Sequence, residues 1–370
     1  MGRALVDGRW VAGDVSVDAG VVVEVGLPTG GTGTAVPGFV DLQVNGFAGR
    51  SFFADPDADG HRAAATAIAR TGVTSYLITV PTVPMQSYPR VLHAAAQHLS
   101  VGAPEASARP LGIHLEGPFL TKAGAHPPQH LRPPDARWVD TILDRFPVAM
   151  RTLAPEAPGA LELIGRLVDR DVVASVGHTH ATAAEAHAGF DAGARAVTHL
   201  WNVQTPITSR EPGVVGAALA RADVALCVIA DLVHVCADSL RVTCAAAADR
   251  LVVVTDAAPF AGLARPEELD HLGASWHPDG SVRLPDGTLA GSAATLDASV
   301  RNLVSIGVDL ARAVDAVTAA PARLLGRSDI GVLRPGGRAD IAVLGDALEV
   351  TAVLVDGHEV DGVGERAPET

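Results

Sequence analysis

The chain has 370 residues, of which 48% are hydrophobic and 19% charged, and its formal net charge is −14. This composition is typical of a globular protein, and one barrel of about 250 residues with a small additional domain would account for the length. The acidic balance makes nucleic acid and anionic membranes poor partners. Three cysteines without a CxxC pair, and no apolar stretch long enough to span a bilayer, favour a cytoplasmic protein.

Short valine-rich segments near the N-terminus alternate in the manner of β-strands. Residues 3–25 contain VDGRWV, VSVD and VVVEV, and a Gly/Thr/Pro connector follows. The C-terminal region repeats this pattern with ADIAVLGD and VTAVLVDGHEV, whose Asp356-Gly357 pair is typical of a hairpin turn. We predict a small β-sandwich domain built from both termini, comprising residues 1–36 and 330–370.

Between these ends, residues 37–329 alternate apolar runs with alanine-rich helical segments. The eight runs are GFVDLQV, VTSYLITVP, LGIHLEGP, VAMRTLAPE, DVVASVGHT, RAVTHLWN, DVALCVIAD and RLVVVTDA. Near-continuous apolar strands that alternate with helices indicate an α/β fold with a parallel sheet buried on both faces, and eight such units predict a TIM-type (β/α)8 barrel. An open doubly wound sheet is the alternative, but no GxGxxG motif follows the first run. Residues 269–288 break the alternation and predict an inserted β-hairpin.

Polar residues close several of these runs. The third run ends at Glu116, the fifth at His178, the sixth at His199 and the eighth at Asp256. In a barrel these ends share the face on which the chemistry occurs. One carboxylate and two imidazoles form a three-ligand set for a catalytic divalent metal, beside which Asp256 would accept a proton. The alternatives are hydrogen-bonded structural histidines and an aspartate that caps the following helix.

Other residues refine this hypothesis. Gln43 and Asn45 in the first run are weak metal donors, which argues for one tightly held metal rather than two. After the sixth run, Asn202 and Arg210 offer contacts for an anion, since a guanidinium can hold a phosphate with two hydrogen bonds. A surface ion pair with Glu211 is the alternative for Arg210.

Ten motifs occur in one order over nearly the whole chain. They are PGFVDLQVNG, HLEGPF, GAH, TLAPE, GHTHAT, THLWN, REPGVVGAAL, IAD..HV, VTDA and LAGSA. In this order they resemble the N-acetylglucosamine-6-phosphate deacetylase family of the amidohydrolase superfamily, and HLEGP and REPGVVGA are the specific members. The resemblance implies hydrolysis of the acetamide of N-acetyl-D-glucosamine 6-phosphate to glucosamine 6-phosphate and acetate. It also implies one divalent metal ion per subunit, with zinc as the first choice and iron, cobalt or manganese as alternatives.

The resemblance extends to individual residues. Those that match the metal ligands are Glu116, His178 and His199. Asp256 matches the catalytic acid/base, and His126 matches a histidine near the acetyl carbonyl. Those that match substrate contacts are Ala125, Asn202, Val203, His234, Leu289, Ala290 and Gly291. Arg210 matches a phosphate-binding arginine that reaches the neighbouring active site of a homodimer, and Gln43 and Asn45 match the branch with a single metal.

One departure from the family pattern concerns the substrate. The family's D-G-x-H reads Asp231-Leu232-Val233-His234 here, and a leucine adds bulk and disfavours a positive φ. Deacetylation of another N-acylated amino sugar, such as N-acetylgalactosamine 6-phosphate or an unphosphorylated sugar, is therefore an alternative. Cleavage of a cyclic amide by a related barrel hydrolase and non-catalytic binding on the same fold are two more.

Overall fold

The computed structural model describes residues 2–364 except residues 29, 55, 103 and 248. In chain order the strands are β1 (Arg3–Val6), β2 (Arg9–Ala12), β3 (Asp14–Asp18), β4 (Val21–Leu27), β5 (Thr34–Pro37), β6 (Phe39–Val44), β7 (Gly46–Phe47), β8 (Arg50–Ser51), β9 (Val73–Val80), β10 (Arg109–Glu116), β11 (Val148–Leu153), β12 (Val173–Val176), β13 (Ala196–Val197), β14 (Ala225–Val228), β15 (Leu251–Val253), β16 (Ser275–Trp276), β17 (Ser281–Arg283), β18 (Leu289–Ser292), β19 (Ile341–Leu344), β20 (Val350–Val355) and β21 (His358–Glu359). The α-helices are α1 (Ala58–Ala69), α2 (Tyr88–Val101), α3 (Ala136–Leu143), α4 (Ala160–Val168), α5 (Ala183–Asp191), α6 (Gly213–Ala220), α7 (Ala237–Ala247), α8 (Leu296–Ser305), α9 (Leu310–Asp315) and α10 (Ala319–Leu324).

Eight parallel strands form the central sheet, in the order β6-β9-β10-β11-β12-β13-β14-β15. Every residue of β6 and β9 is buried, as expected for strands that are covered on both faces. Each of the eight apolar runs overlaps one of these strands, and α1 to α7 connect them in turn. The prediction of a (β/α)8 barrel is therefore confirmed.

Capping side chains set where several helices begin. The Asp57 carboxylate accepts the backbone N–H of Gly60 at the start of α1. Thr182 and Glu185 form a reciprocal capping box at the start of α5. Such caps satisfy backbone donors that have no partner within the helix. They therefore fix the lengths of the loops that lead from the strand ends into the helices.

Two groups of buried apolar side chains hold the barrel together. The larger lies between the strands and the helices and includes Ile78 of β9 and Leu92 of α2. The second is contributed mainly by the barrel strands, with Leu42, Met150 and Val252 among its members. Burial of apolar surface stabilises by about 25 cal/mol per Å², so these groups provide a rigid support for the ends of the strands.

Both ends of the chain build a second, smaller β-structure. Its six-stranded sheet has the order β2-β1-β5-β19-β20-β21, and β3 pairs with β4 beside it. Buried Ala4, Val22 and Ile341 belong to the core between these sheets. The guanidinium of Arg109 at the start of β10 contacts Asp340 at 3.2 Å and so ties this part to the barrel. The proposed boundaries at residues 36/37 and 329/330 stay a prediction.

The segment after the eighth barrel strand forms an antiparallel three-stranded sheet, β16-β17-β18. Its third strand, β18, follows the predicted hairpin of residues 269–288. Ser292 N of this strand donates to the Asp256 carbonyl, and Ala258 N donates to the Ser292 carbonyl. The inserted sheet is therefore fastened to the end of the eighth barrel strand. Among the described residues, no helix has the length and apolar content needed to cross a bilayer.

Candidate active site

Four polar residues converge at the carboxyl ends of the barrel strands. Glu116 is the last residue of β10, and His178 and His199 each follow their strand by two residues. Asp256 lies three residues beyond β15. The φ angles of His178, His199 and Asp256 are 50°, 31° and 51°, a left-handed conformation that is uncommon outside glycine. The backbone at these strand ends is thus held in a strained form, as often occurs at functional sites.

The structure brings Glu116, His178 and His199 together as a buried group whose ligand atoms lie within 4.8 Å of one another. Glu116 Oε1 is 3.0 Å from His199 Nε2 and 3.3 Å from His178 Nε2. The two Nε2 atoms are 3.0 Å apart. Three electron-pair donors that point at one another in the interior are an arrangement suited to a divalent cation.

The hydrogen bonds of His178 are those expected of a metal ligand. Its Nδ1 lies 3.1 Å from the carbonyl oxygens of Lys122 and Ala123. Because a carbonyl can only accept, Nδ1 must carry the proton, which leaves the Nε2 lone pair directed at Glu116. A hydrogen bond from the other ring nitrogen is the usual way in which proteins orient a metal-binding histidine.

The ionisation of Glu116 also indicates a site for a cation. Burial by itself would raise the pKa of this carboxyl, but hydrogen bonds from His178 and His199, when these rings are protonated, outweigh it and hold the pKa well below its usual value. A buried carboxylate that stays ionised needs a compensating cation. The donor set and its charge therefore fit a divalent metal.

Asp256 lies beside this group and is oriented by two amides of the first barrel strand. Its Oδ1 accepts hydrogen bonds from Gln43 Nε2 at 2.9 Å and from Asn45 Nδ2 at 2.7 Å. Within the described part of the chain, Oδ2 has no hydrogen-bond partner. Burial, followed by the charge of Glu116, raises the pKa of Asp256 to about 6. The carboxylate caps none of the described helices, so the alternative role as an N-cap is wrong.

His126 adds a neutral donor. The backbone N–H of Thr82 donates to its Nδ1 at 3.1 Å, which places the ring proton on Nε2. That nitrogen lies 3.7 Å from Glu116 Oε2. Burial, and then the charge of His178, lowers the pKa of His126 to about 3. His126 therefore presents an uncharged N–H beside Glu116, His178 and His199.

His234 is fixed by a neighbouring carboxylate. Its Nδ1 lies 2.7 Å from Asp231 Oδ2, and Asp231 Oδ1 accepts the backbone N–H groups of Val233 and His234. Leu232 within this turn has a φ of 65°, so the expectation that leucine would not adopt a positive φ is wrong. The side chain of Leu232 is 38% exposed and lies outside the residues that line the cavity, so it leaves room for a substrate.

A cavity of about 730 Å³ opens above this group. The residues of the sequence hypothesis that line it are Asn45, Glu116, Ala125, His126, His178, His199, Asn202, Val203, His234, Asp256, Leu289, Ala290 and Gly291. Sequence reasoning missed Phe53, Phe260, His271 and Leu272, which also line it. These four residues lie in loops or at the inserted sheet, where no periodic pattern marks their direction.

Arg210 lies elsewhere. It is exposed and is not among the residues that line the cavity. It forms no ion pair with Glu211, whose Oε1 instead accepts the backbone N–H groups of Ala183 and Gly213. No lysine or arginine lines the cavity within the described ranges.

Comparisons with known proteins show the family of the chain. The model of the amidohydrolase family matches residues 34–360. The chain is 36% identical over 335 residues to N-acetylgalactosamine-6-phosphate deacetylase of Escherichia coli O157:H7, covering 87% of this chain and 86% of the relative. It is 37% identical over 349 residues to N-acetylglucosamine-6-phosphate deacetylase of Danio rerio, covering 88% and 83%.

Solved structures give the same result. A mutant N-acetyl-D-glucosamine-6-phosphate deacetylase from Mycobacterium smegmatis, in complex with N-acetyl-D-glucosamine-6-phosphate, superposes with a TM-score of 0.89 at 34% identity and 97% coverage of both chains. The N-acetylglucosamine-6-phosphate deacetylase of Thermotoga maritima has a TM-score of 0.87 at 30% identity, covering 97% of this chain and 98% of that one.

Proposed function

Because the chain belongs to the amidohydrolase family, we propose that it hydrolyses the acetamide of N-acetyl-D-glucosamine 6-phosphate to glucosamine 6-phosphate and acetate. The observation that carries this proposal is the buried group of Glu116, His178 and His199 with Asp256 and His126 beside it, at the mouth of the barrel. The similarity to deacetylases of amino-sugar phosphates supports the same reaction.

Glu116, His178 and His199 would hold one divalent cation per subunit. When bound, such a cation supplies Lewis acidity, which activates water and polarises a carbonyl. We assign zinc first, because a site of two imidazoles and one carboxylate is common for catalytic zinc. Iron, cobalt and manganese accept the same donors, and elemental analysis of protein purified without added metal distinguishes them.

Asp256 acts as the proton carrier of the reaction. Its carboxylate takes the proton from the attacking water, and it later protonates the departing amine. A pKa raised to about 6 suits a group that both accepts and returns a proton near neutral pH. The amides of Gln43 and Asn45 hold Oδ1 and leave Oδ2 for this exchange.

His126 stabilises the negative charge that develops on the acetyl oxygen. Its neutral Nε2–H can donate to this oxygen without losing its proton, since Thr82 fixes the tautomer. Preorganised donors of this kind contribute through electrostatics, and loss of one such donor typically lowers the rate about 10²–10³-fold.

The substrate pocket combines the predicted contacts. Asn202, Val203 and His234 would bind the sugar phosphate, and Ala125 with the loop of Leu289, Ala290 and Gly291 would enclose the sugar. Asn202 carries a buried Nδ2 that has no partner in the described part of the chain. A substrate oxygen would satisfy this donor, which supports a direct contact.

A phosphate is best bound by a positive charge, and the described residues that line the cavity include no lysine or arginine. We therefore propose a homodimer in which Arg210 reaches the active site of the neighbouring subunit. The exposed position of Arg210, away from its own cavity, supports this arrangement. A guanidinium binds phosphate with paired hydrogen bonds and is well suited to the task.

N-acetylgalactosamine 6-phosphate is the second candidate substrate, favoured by the similarity to the Escherichia coli enzyme. Release of acetate from this sugar, from N-acetylglucosamine 6-phosphate and from unphosphorylated N-acetylglucosamine tests the proposal. We expect the highest kcat/KM on N-acetylglucosamine 6-phosphate. Higher kcat/KM on the galacto sugar would reverse the assignment, and equal values with and without phosphate would remove the role of Arg210.

We also propose a cytoplasmic location, which the free cysteines Cys227, Cys236 and Cys244 support.

A further inference from the structure

The barrel has a seam between its first and last strands. The strands β6 and β15 lie at the two ends of the sheet order. Among the described residues, the one β-bridge between these two segments joins Val44 to Ala257. Backbone hydrogen bonds from Asn45 and Gly46 to the Ala257 carbonyl lie at the same level. Below this level the two segments need another way to satisfy their polar backbone groups, because buried N–H groups are rarely left unpaired.

The side chain of Asp41 provides it. Its Oδ1 accepts the backbone N–H groups of Gln43 and Thr255, each at 3.2 Å. Its Oδ2 accepts the Thr255 hydroxyl at 2.6 Å. The carboxylate thus bridges the two strands where the ladder is missing, and the Thr255 hydroxyl also lies 3.3 Å from the Gln43 carbonyl oxygen. Lower in the seam, Val40 N donates to the Val317 carbonyl and Val253 N donates to the Ala316 carbonyl.

Asp41 is an unusual residue for this place. It is 2% exposed, and none of the ion pairs found among the described residues includes it. A buried carboxyl without a cation is normally unfavourable, and a hydrophobic residue would pack the barrel more favourably. Its presence therefore calls for a role beyond the stability of the fold.

Thr255 immediately precedes Asp256, so the seam also sets the position of the proposed proton carrier. On the other side of the seam, Gln43 lies in β6 with Asp41 and Asn45 directly follows this strand. The side-chain amides of Gln43 and Asn45 donate to Asp256 Oδ1. All of these contacts depend on one register between residues 41–45 and 255–257. A shift of about 1 Å in a catalytic group can lower a rate about 10²-fold.

We propose that Asp41 is a positioning residue of the reaction, which locks Thr255 across the seam and thereby places the Asp256 carboxylate. It is not among the residues that line the cavity, so it acts through Asp256 and does not touch the substrate. Its role rests on the proposed function of Asp256.

Asp41→Asn tests this role. The amide keeps the shape and one accepting oxygen but turns an NH2 group toward the Thr255 hydroxyl. We expect kcat per metal-loaded site to fall at least tenfold, while KM and metal content stay within twofold of wild type. The matched control is Asp340→Asn, which changes another buried carboxyl (4% exposed) that pairs with Arg109 away from the cavity. It should lower thermal stability and leave kcat unchanged.

A second pair of variants covers the case in which Asp41→Asn does not fold. Thr255→Val removes the hydroxyl and should reproduce the loss of kcat, whereas Thr255→Ser keeps it and should restore most of the turnover. The double variant Asp41→Asn/Thr255→Val should lose little more than Thr255→Val alone, because both changes remove the contact between Asp41 and the Thr255 hydroxyl. A kcat within twofold of wild type in both Asp41→Asn and Thr255→Val would overturn the proposal.

Crystal structures of Asp41→Asn and Thr255→Val supply a readout that is independent of turnover. We expect Asp256 Oδ1 to lose its hydrogen bond to Gln43 or to Asn45 in both. An Asp256 carboxylate that keeps its place would overturn the positioning role, even if the wild-type protein proves to release no acetate. Absence of acetate release by wild type would instead overturn the proposed function.

Discussion

The backbone N–H of Thr82 lies 3.1 Å from Nδ1 of His126 and donates to it. This one contact determines that a neutral His126 carries its proton on Nε2, which lies 3.7 Å from Glu116 Oε2. Since burial lowers the pKa of His126 to about 3, the ring stays neutral throughout the range in which an enzyme of this kind would be assayed.

We therefore expect His126→Gln to lower kcat about 10²–10³-fold with little change in KM, because one donor to the developing oxyanion is lost. Steady-state kinetics of acetate release measure the effect. The matched control is His180→Gln, since His180 is exposed and lies outside the cavity lining. A loss of less than threefold in His126→Gln would show that His126 is not the oxyanion donor.

Asp256→Asn should abolish most turnover while the protein keeps its metal. The amide can still accept hydrogen bonds from Gln43 and Asn45 through its oxygen, but it cannot take a proton. Removal of a general acid/base typically lowers the rate about 10²–10⁴-fold. Kinetics combined with elemental analysis of the same sample provide the measurement. Near-normal turnover with metal still bound would rule out Asp256 as the proton carrier.

Arg210→Ala should raise KM for the phosphorylated sugar by at least tenfold and leave activity on the unphosphorylated sugar unchanged. Arg137→Ala, another exposed arginine, is the control and should change neither value. The physical reason is the loss of a charge-assisted contact to phosphate.

A mixture of subunits tests whether Arg210 acts across the dimer. Co-expressed Arg210→Ala and Asp256→Asn chains would form mixed dimers, in which the site with an intact Asp256 receives Arg210 from its partner. We expect these dimers to recover about half of the wild-type activity at low substrate concentration, since one of two sites is complete. Mixed dimers no more active than the two parents would mean that Arg210 acts within its own subunit.

Leu232→Gly should stabilise the protein slightly and leave catalysis unchanged. A left-handed conformation costs a leucine about 1–2 kcal/mol, which glycine avoids at the expense of greater freedom in the unfolded chain. We expect the free energy of unfolding to rise by roughly 0.5–1 kcal/mol. Leu161→Gly, an exposed leucine within α4 (43% exposed), should instead destabilise by about 1 kcal/mol. A tenfold gain in kcat/KM for Leu232→Gly would show that the side chain restricts the substrate.

The strands and the convergence of Glu116, His178 and His199 could be predicted from the sequence because both leave strong local patterns. Each barrel strand coincides with a largely apolar run, and Glu116, His178 and His199 lie at the ends of three of these runs. The rule that parallel strands end on one face of a barrel then brings the residues together without any knowledge of distances.

The hydrogen bonds that orient the side chains of the candidate site could not be predicted in the same way. Thr82, Lys122 and Ala123 act through backbone groups, which any residue type supplies, so their sequence carries no signal. The contact of Gln43 with Asp256 depends on the register of strands that are more than 200 residues apart in sequence. The positive φ of Leu232 opposes its residue preference and follows from the turn that Asp231 holds.

An anomalous-diffraction map measured at the absorption edge of the metal found in the active protein tests the central claim most directly. We expect one peak per chain within coordinating distance of Glu116, His178 and His199. In Glu116→Gln, both the peak and the release of acetate should be lost. A fully active protein without such a peak, or with the ion bound elsewhere, would contradict the metal centre on which the proposed reaction depends.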